Sequence, residues 1–215
     1  MSRNPSPATR AGYHAGRTPA NAGQRLPPEI LTAEEVRTLI RACSSRAPTG
    51  ARNRALLVVL YRGGLRISEA LALRPKDLDA GAGSVTVLHG KGDKRRTIGL
   101  DAGAFALLER WLTIRASLGI TGRQGVFCTL DGSPLDSSYV RHLLPRLAAR
   151  AGIDKRVHAH GLRHTHAAEL ATERTPANVI QAQLGHESLA TTDRYLRHIA
   201  PQDLIDRIRA REWTL

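Results

Sequence analysis

Between residues 84 and 100 the apolar pattern of this chain has period two, and on both sides of that window it has the period of a helix. Ser84-Val85-Thr86-Val87-Leu88-His89 and Arg95-Arg96-Thr97-Ile98-Gly99-Leu100 alternate around a Gly, Lys and Asp cluster at 90–94, which predicts one β-hairpin. The fold class that follows is α+β: mainly α, with one small antiparallel sheet.

The helical segments have recognisable ends. Thr32, with Glu35 three residues on, forms a capping box ahead of Val36, Leu39, Ile40 and Cys43, and Pro48 and Gly50 are expected to stop that helix. A more apolar helix is expected over 51–62, broken by Gly63-Gly64, and a short one over 66–73, stopped by Pro75. Asp101 can cap a helix running to Ser117. Asp136 can open another, kinked at Pro145 and ended at Gly152. Further helical pieces are expected near 160–173, 176–184, 189–198 and 202–211, and no internal repeat is present. Residues 1–28 contain five prolines, four arginines and no acid. They read as a disordered basic arm or linker, leaving 29–215 as the ordered domain.

A chain of 215 residues suits one domain. Its longest apolar run, Ala55 to Tyr61, is too short to cross a bilayer, and Arg3, Arg10 and Arg17 have no apolar stretch behind them, so a cytoplasmic location is expected. Cys43 and Cys128 lack the paired spacing of a zinc site and read as buried thiols. Charge narrows the partner. Thirty-two Lys and Arg against nineteen Asp and Glu give a formal +13, which favours a polyanion, nucleic acid ahead of an anionic membrane. Lysine occurs only at 76, 91, 94 and 155, so arginine, the side chain that grips phosphate with two parallel hydrogen bonds, supplies the rest.

Two stretches carry chemistry. In His160-Gly161-Leu162-Arg163, residues three apart share one helix face, so an imidazole and a guanidinium can converge on one small anion while Leu162 turns to the core. Taken alone, the pair reads equally as a charged surface turn. His186 and Tyr195 would stand about 13 Å apart along one straight helix, too far for one phosphate. Gly185 as a C-cap and Ser188 as an N-cap break the helix where the two must turn toward each other. A lone tyrosine in such a segment otherwise reads as a ring in the core with a wet hydroxyl.

Gly64-Leu65-Arg66-Ile67-Ser68-Glu69-Ala70-Leu71, His89-Gly90-Lys91-Gly92, His160-Gly161-Leu162-Arg163-His164-Thr165 and Leu184-Gly185-His186 through Arg194-Tyr195 occur in the order found in the tyrosine recombinases, phage integrases and Xer-type enzymes included. The sequence resembles the catalytic domain of that family from about Leu31 onward. The resemblance implies that Arg66 and Arg163 hold the nonbridging oxygens of a scissile phosphate, that Tyr195 attacks phosphorus to give a 3′-phosphotyrosyl link, and that His160 accepts the tyrosine proton. It further implies that His186 hydrogen-bonds the phosphate and that Lys91 protonates the leaving 5′ oxygen, with Lys94, Arg95 and Arg96 as competitors for that place. Glu69 would orient Arg66 rather than react. The broken bond's energy stays in the phosphotyrosine, so neither nucleotide nor metal is expected. The sequence accordingly has no Walker-type glycine loop and no carboxylate cluster for magnesium.

Gly161 stands where many relatives carry an acid and His166 where an aromatic is usual. Relatives also carry a separate helical DNA-binding domain ahead of the catalytic one, and here only the 28-residue arm precedes it. The function implied is site-specific recombination of double-stranded DNA; a DNA-binding remnant and a type IB topoisomerase-like enzyme are the alternatives. Leu204, Ile205 and Ile208 would form the apolar side of a helix over 202–211, through which a monomer in free solution assembles on paired DNA sites.

Overall fold

Thr32 Oγ1 accepts the Glu35 N–H at 3.1 Å while the Glu35 carboxylate accepts the Thr32 N–H at 2.6 Å, so α1 (Ala33–Arg41) opens on the expected capping box. The structure is a computed structural model that describes residues 29–88, 95–185 and 209–210. The arm over 1–28, the hairpin tip at 89–94, the helix over 189–198 and all but two residues of the helix over 202–211 lie outside the described residues.

The second helix starts earlier than its sequence suggests. Pro48 does not end α1, which stops at Arg41; it opens α2 (Pro48–Tyr61). In the first turn a missing N–H costs nothing, and the fixed φ of proline already suits the helix. Gly50 is required there, because a Cβ would lie 1.9 Å from the Ser44 carbonyl oxygen. Ala55 through Leu60 are all buried, so α2 is apolar on every side and occupies the centre. It packs against α1, α3 (Ile67–Ala72), α4 (Ala102–Ser117) and α6 (Ala159–Thr172).

The period-two window forms a three-stranded antiparallel sheet in the order β1 (Leu78–Asp79), β2 (Ser84–Val87), β3 (Arg96–Gly99). Val85 pairs with Ile98 and Val87 with Arg96, which sends Val85, Val87 and Ile98 into the core. The first strand was not expected. Two residues are too few to display a period.

Asp101 caps α4 by accepting the Ala104 N–H, and Asp136 caps α5 (Ser137–Ala151) by accepting the Ser138 N–H. Helix α5 carries Pro145 inside it and ends at Gly152, whose φ is 66°. The cap of α6 is an imidazole: His158 Nδ1 accepts the Gly161 N–H at 3.0 Å. Helix α7 (Ala177–Leu184) ends at Gly185 with φ 63°, the predicted left-handed cap. Ala167 and Ala171 of α6 and Ile180 and Leu184 of α7 make a small satellite cluster beside the main core. Cys43 and Cys128 are buried free thiols. No helix among the described residues is long and apolar enough to cross a membrane.

Candidate active site

The Gly63-Gly64-Leu65 turn delivers Arg66 to the start of α3. Gly64 has φ 60°, and a Cβ on it would lie 2.7 Å from Leu184 Cδ2 and 2.9 Å from His166 Cδ2, so only glycine lets this turn press against α6 and α7. Leu65, fully buried, pins the turn from the other side. Arg66 is then the N-cap residue of α3, and Glu69, one turn on, holds it twice. Glu69 Oε2 accepts the Arg66 backbone N–H at 2.8 Å and Oε1 accepts Arg66 Nη1 at 2.6 Å. The third contact runs from Arg66 Nη2 to the Gly185 carbonyl at 3.4 Å.

Arg163 reaches the same place from α6. It is 1% exposed, and its guanidinium spans two segments: Nη1 donates to the Gly64 carbonyl at 2.6 Å and Nη2 to the Leu184 carbonyl at 2.5 Å. The two carbonyls belong to the glycine turn and to the last turn of α7. A cation between them satisfies both. The two arginines expected to share one phosphate therefore sit on a common rim built from the α3 N-terminus, α6 and the α7 C-cap.

His160 lies one turn before Arg163. Its ring meets that of His164 edge-on with centroids 4.1 Å apart. The residue is exposed, yet the packed atoms around its ring, and then the charges of Arg163, His158 and Arg66, push its pKa below the ordinary imidazole value. The shift favours the neutral ring, the form that can accept a proton. Leu162 faces the core at 1% exposure, as expected. Lys91, His186 and Tyr195 lie outside the described residues.

Sequence reasoning passed over two contributors. Arg96, counted only as a competitor of Lys91, faces inward from β3 and grips Glu69 with both terminal nitrogens, Nη1 to Oε1 at 2.9 Å and Nη2 to Oε2 at 2.8 Å. Its signal was available. Ile98 must face the core, so Arg96 two residues earlier shares that face, and an inward-facing arginine needs acceptors for its donors. Burial pushes the Glu69 carboxyl up, but the Arg96 hydrogen bonds, the Arg66 N–H, the Arg96 charge and the Arg66 side-chain hydrogen bond more than reverse this and leave it at about 2. The second is Gln183 of α7, whose side-chain amide accepts the Gly99 N–H at 3.0 Å and donates to the Gly99 carbonyl at 2.8 Å. No periodicity marks an amide that pairs with a strand.

His166, where an aromatic ring was expected, is 4% exposed and packs against the Gly64 turn, its ring edge-on to Tyr61 at 6.5 Å. Among the described residues neither ring nitrogen has a hydrogen-bond partner, and burial, followed by the charges of Arg62 and Arg163, pushes its pKa down to about 4. It serves as a neutral ring. Below it Tyr61 bonds to Glu169, and Arg62 bridges Asp101 and Glu169 at 2.8 and 3.3 Å.

The model of the phage integrase family matches residues 29–201. The chain belongs to that family. Among curated relatives of this integrase-family chain, the tyrosine recombinase XerC of Xanthomonas axonopodis pv. citri (strain 306) is 37% identical over 195 residues, which cover 91% of this chain and 59% of XerC. XerC of Xylella fastidiosa (strain M23) is 37% identical over 188 residues, covering 85% and 62%. The chain thus spans about three fifths of the length of these relatives. Among solved structures, the XerA recombinase superposes with a TM-score of 0.75 at 30% identity over 93% of this chain and 72% of XerA. The XerH site-specific recombinase, bound to its palindromic difH substrate after cleavage, gives 0.70 at 33% identity over 85% and 53%. The catalytic domain of bacteriophage HP1 integrase shares the fold, with a TM-score of 0.58 at 23% identity over 86% of this chain and 95% of that domain. The helices and small sheet described above are those of a Xer-like tyrosine recombinase catalytic domain.

Proposed function

We propose that this chain carries out site-specific recombination of double-stranded DNA by breaking and rejoining strands through a 3′-phosphotyrosyl intermediate. The observation that carries the reading is the convergence of Arg66 and Arg163 on one rim, with His160 one helical turn before Arg163. Two guanidinia there can bind the nonbridging oxygens of one phosphate and stabilise the charge that builds up as phosphorus becomes five-coordinate.

In the cleavage step the Tyr195 hydroxyl oxygen forms the bond to phosphorus, its proton passes to His160, and the bond from phosphorus to the 5′ oxygen breaks. That oxygen takes a proton from Lys91 and leaves as a hydroxyl. His186 adds a hydrogen bond to the phosphate. Rejoining runs the same steps backward with a 5′-hydroxyl as nucleophile, so the count of phosphoester bonds is unchanged and no energy source is consumed. Free tyrosine, with a pKa near 10, is a poor nucleophile at neutral pH, which is why cations must surround it. The protein is a monomer in free solution and assembles into a homo-oligomer on paired sites through residues 202–211, in the cytoplasm on the nucleoid.

A nicked suicide duplex tests the reading, because the short strand released by cleavage diffuses away and traps the adduct. The parent chain should accumulate covalent protein–DNA complex, and Tyr195→Phe should bind the duplex with unchanged affinity and form none. An adduct persisting in Tyr195→Phe contradicts the assignment of the nucleophile.

A further inference from the structure

Arg66 is aimed by two acceptors among the described residues, the Glu69 carboxylate and the Gly185 carbonyl. Arg96 touches both. Its two terminal nitrogens form the fork on Glu69, whose side chain is 1% exposed. Its stem and guanidinium lie directly beneath Gly185, where an added Cβ would sit 2.7 Å from Nε and 2.9 Å from Cζ. Both terminal nitrogens of Arg96 are held by the one carboxylate that also aims Arg66, and its side chain, at 13%, is less exposed than that of Arg66, at 28%. A residue so placed fixes another's geometry.

We propose that Arg96 is a positioning residue for Arg66: it immobilises the carboxylate against which the Arg66 guanidinium is set, packs beneath Gly185, and never touches the phosphate. This rests on the reading of Arg66 as a phosphate ligand. Without Arg96, each oxygen of Glu69 keeps only one of its two donors, and the carboxylate can rotate to take Arg66 in a fork of its own. That rotation turns the Arg66 nitrogens inward, away from where a phosphate would lie. Small misplacements of this kind lower rates far more than affinities.

The experiment is a double-mutant cycle on single-turnover cleavage of the suicide duplex at saturating protein, with duplex affinity measured alongside. Arg96→Gln should slow cleavage by roughly 10–100-fold while affinity changes by less than about threefold. In an Arg66→Lys background the same substitution should cost less than about threefold, because the group it aims is already altered. Arg96→Lys keeps the charge but loses the fork, and should recover only a small part of the rate. Should Arg96→Gln melt below the assay temperature, Arg96→Lys carries the cycle. An equal loss in both backgrounds, or a loss of affinity with an unchanged cleavage rate, overturns this role while leaving the functional reading intact. A parent chain that forms no adduct overturns the functional reading, and the positioning role with it.

Discussion

His166 is a titratable side chain confined to a site that admits only its neutral form. Its pKa of about 4 lies below the 6.5 of an unfolded histidine, so the fold excludes a proton that the unfolded chain accepts. Stability from this position is complete above pH 6.5 and is lost as pH falls from 6.5 toward 4, by up to about 3 kcal/mol. Urea unfolding of His166→Phe should show a flatter pH dependence across that window than the parent; a slope unchanged by the substitution would count against the burial argument. At this scale the sequence was readable wherever local spacing carried the signal. His160 and Arg163 fall on one face, Leu162 turns inward, and Glu69 holds Arg66, all within one helical turn. Arg96 and Glu69 are 27 residues apart on different elements, and no local period connects them.

Helix α7 is tied to the sheet by a side chain acting as a strand. Gln183 gives Gly99 of β3 both hydrogen bonds that a neighbouring strand would give, and so covers the free edge of the sheet. Gln183→Ala should cost about 1–2 kcal/mol, since two hydrogen bonds pass to water at an exposed residue. Amide exchange at Gly99 should accelerate in the same variant, and an unchanged exchange rate would show that the edge is held by something else. Element boundaries were legible where a cap announces them, as at Thr32, Asp101, Asp136 and Gly185. They were misread at Pro48, where the same residue type closes one helix or opens the next. The choice depends on whether Gly50 can pack on Ser44, which is a tertiary contact.

Across the whole molecule the positive charge divides into two populations. Arg115, 4% exposed, donates to the carbonyls of Ile120, Thr121, Gln124 and Gly125 and holds that loop closed. Arg52 is similarly spent on the Cys128 carbonyl and the Tyr139 hydroxyl. Such arginines belong to the scaffold, so the formal charge overstates what a polyanion meets. Arg115→Gln should destabilise the fold by on the order of 3 kcal/mol, because several charge-assisted bonds disappear together. The slope of log affinity against log salt for duplex DNA should stay as in the parent; a slope reduced by about one would place Arg115 on the DNA instead. Arg163 has a different kind of consequence. Its two carbonyl partners lie 99 residues before it and 21 after it along the chain. A polypeptide leaving the ribosome has Gly64 in place long before Leu184 emerges, and until then the guanidinium lacks one of these two carbonyls. The setting of Arg163 is therefore completed only after helix α7 has been made, so folding of this corner cannot run ahead of translation of Leu184.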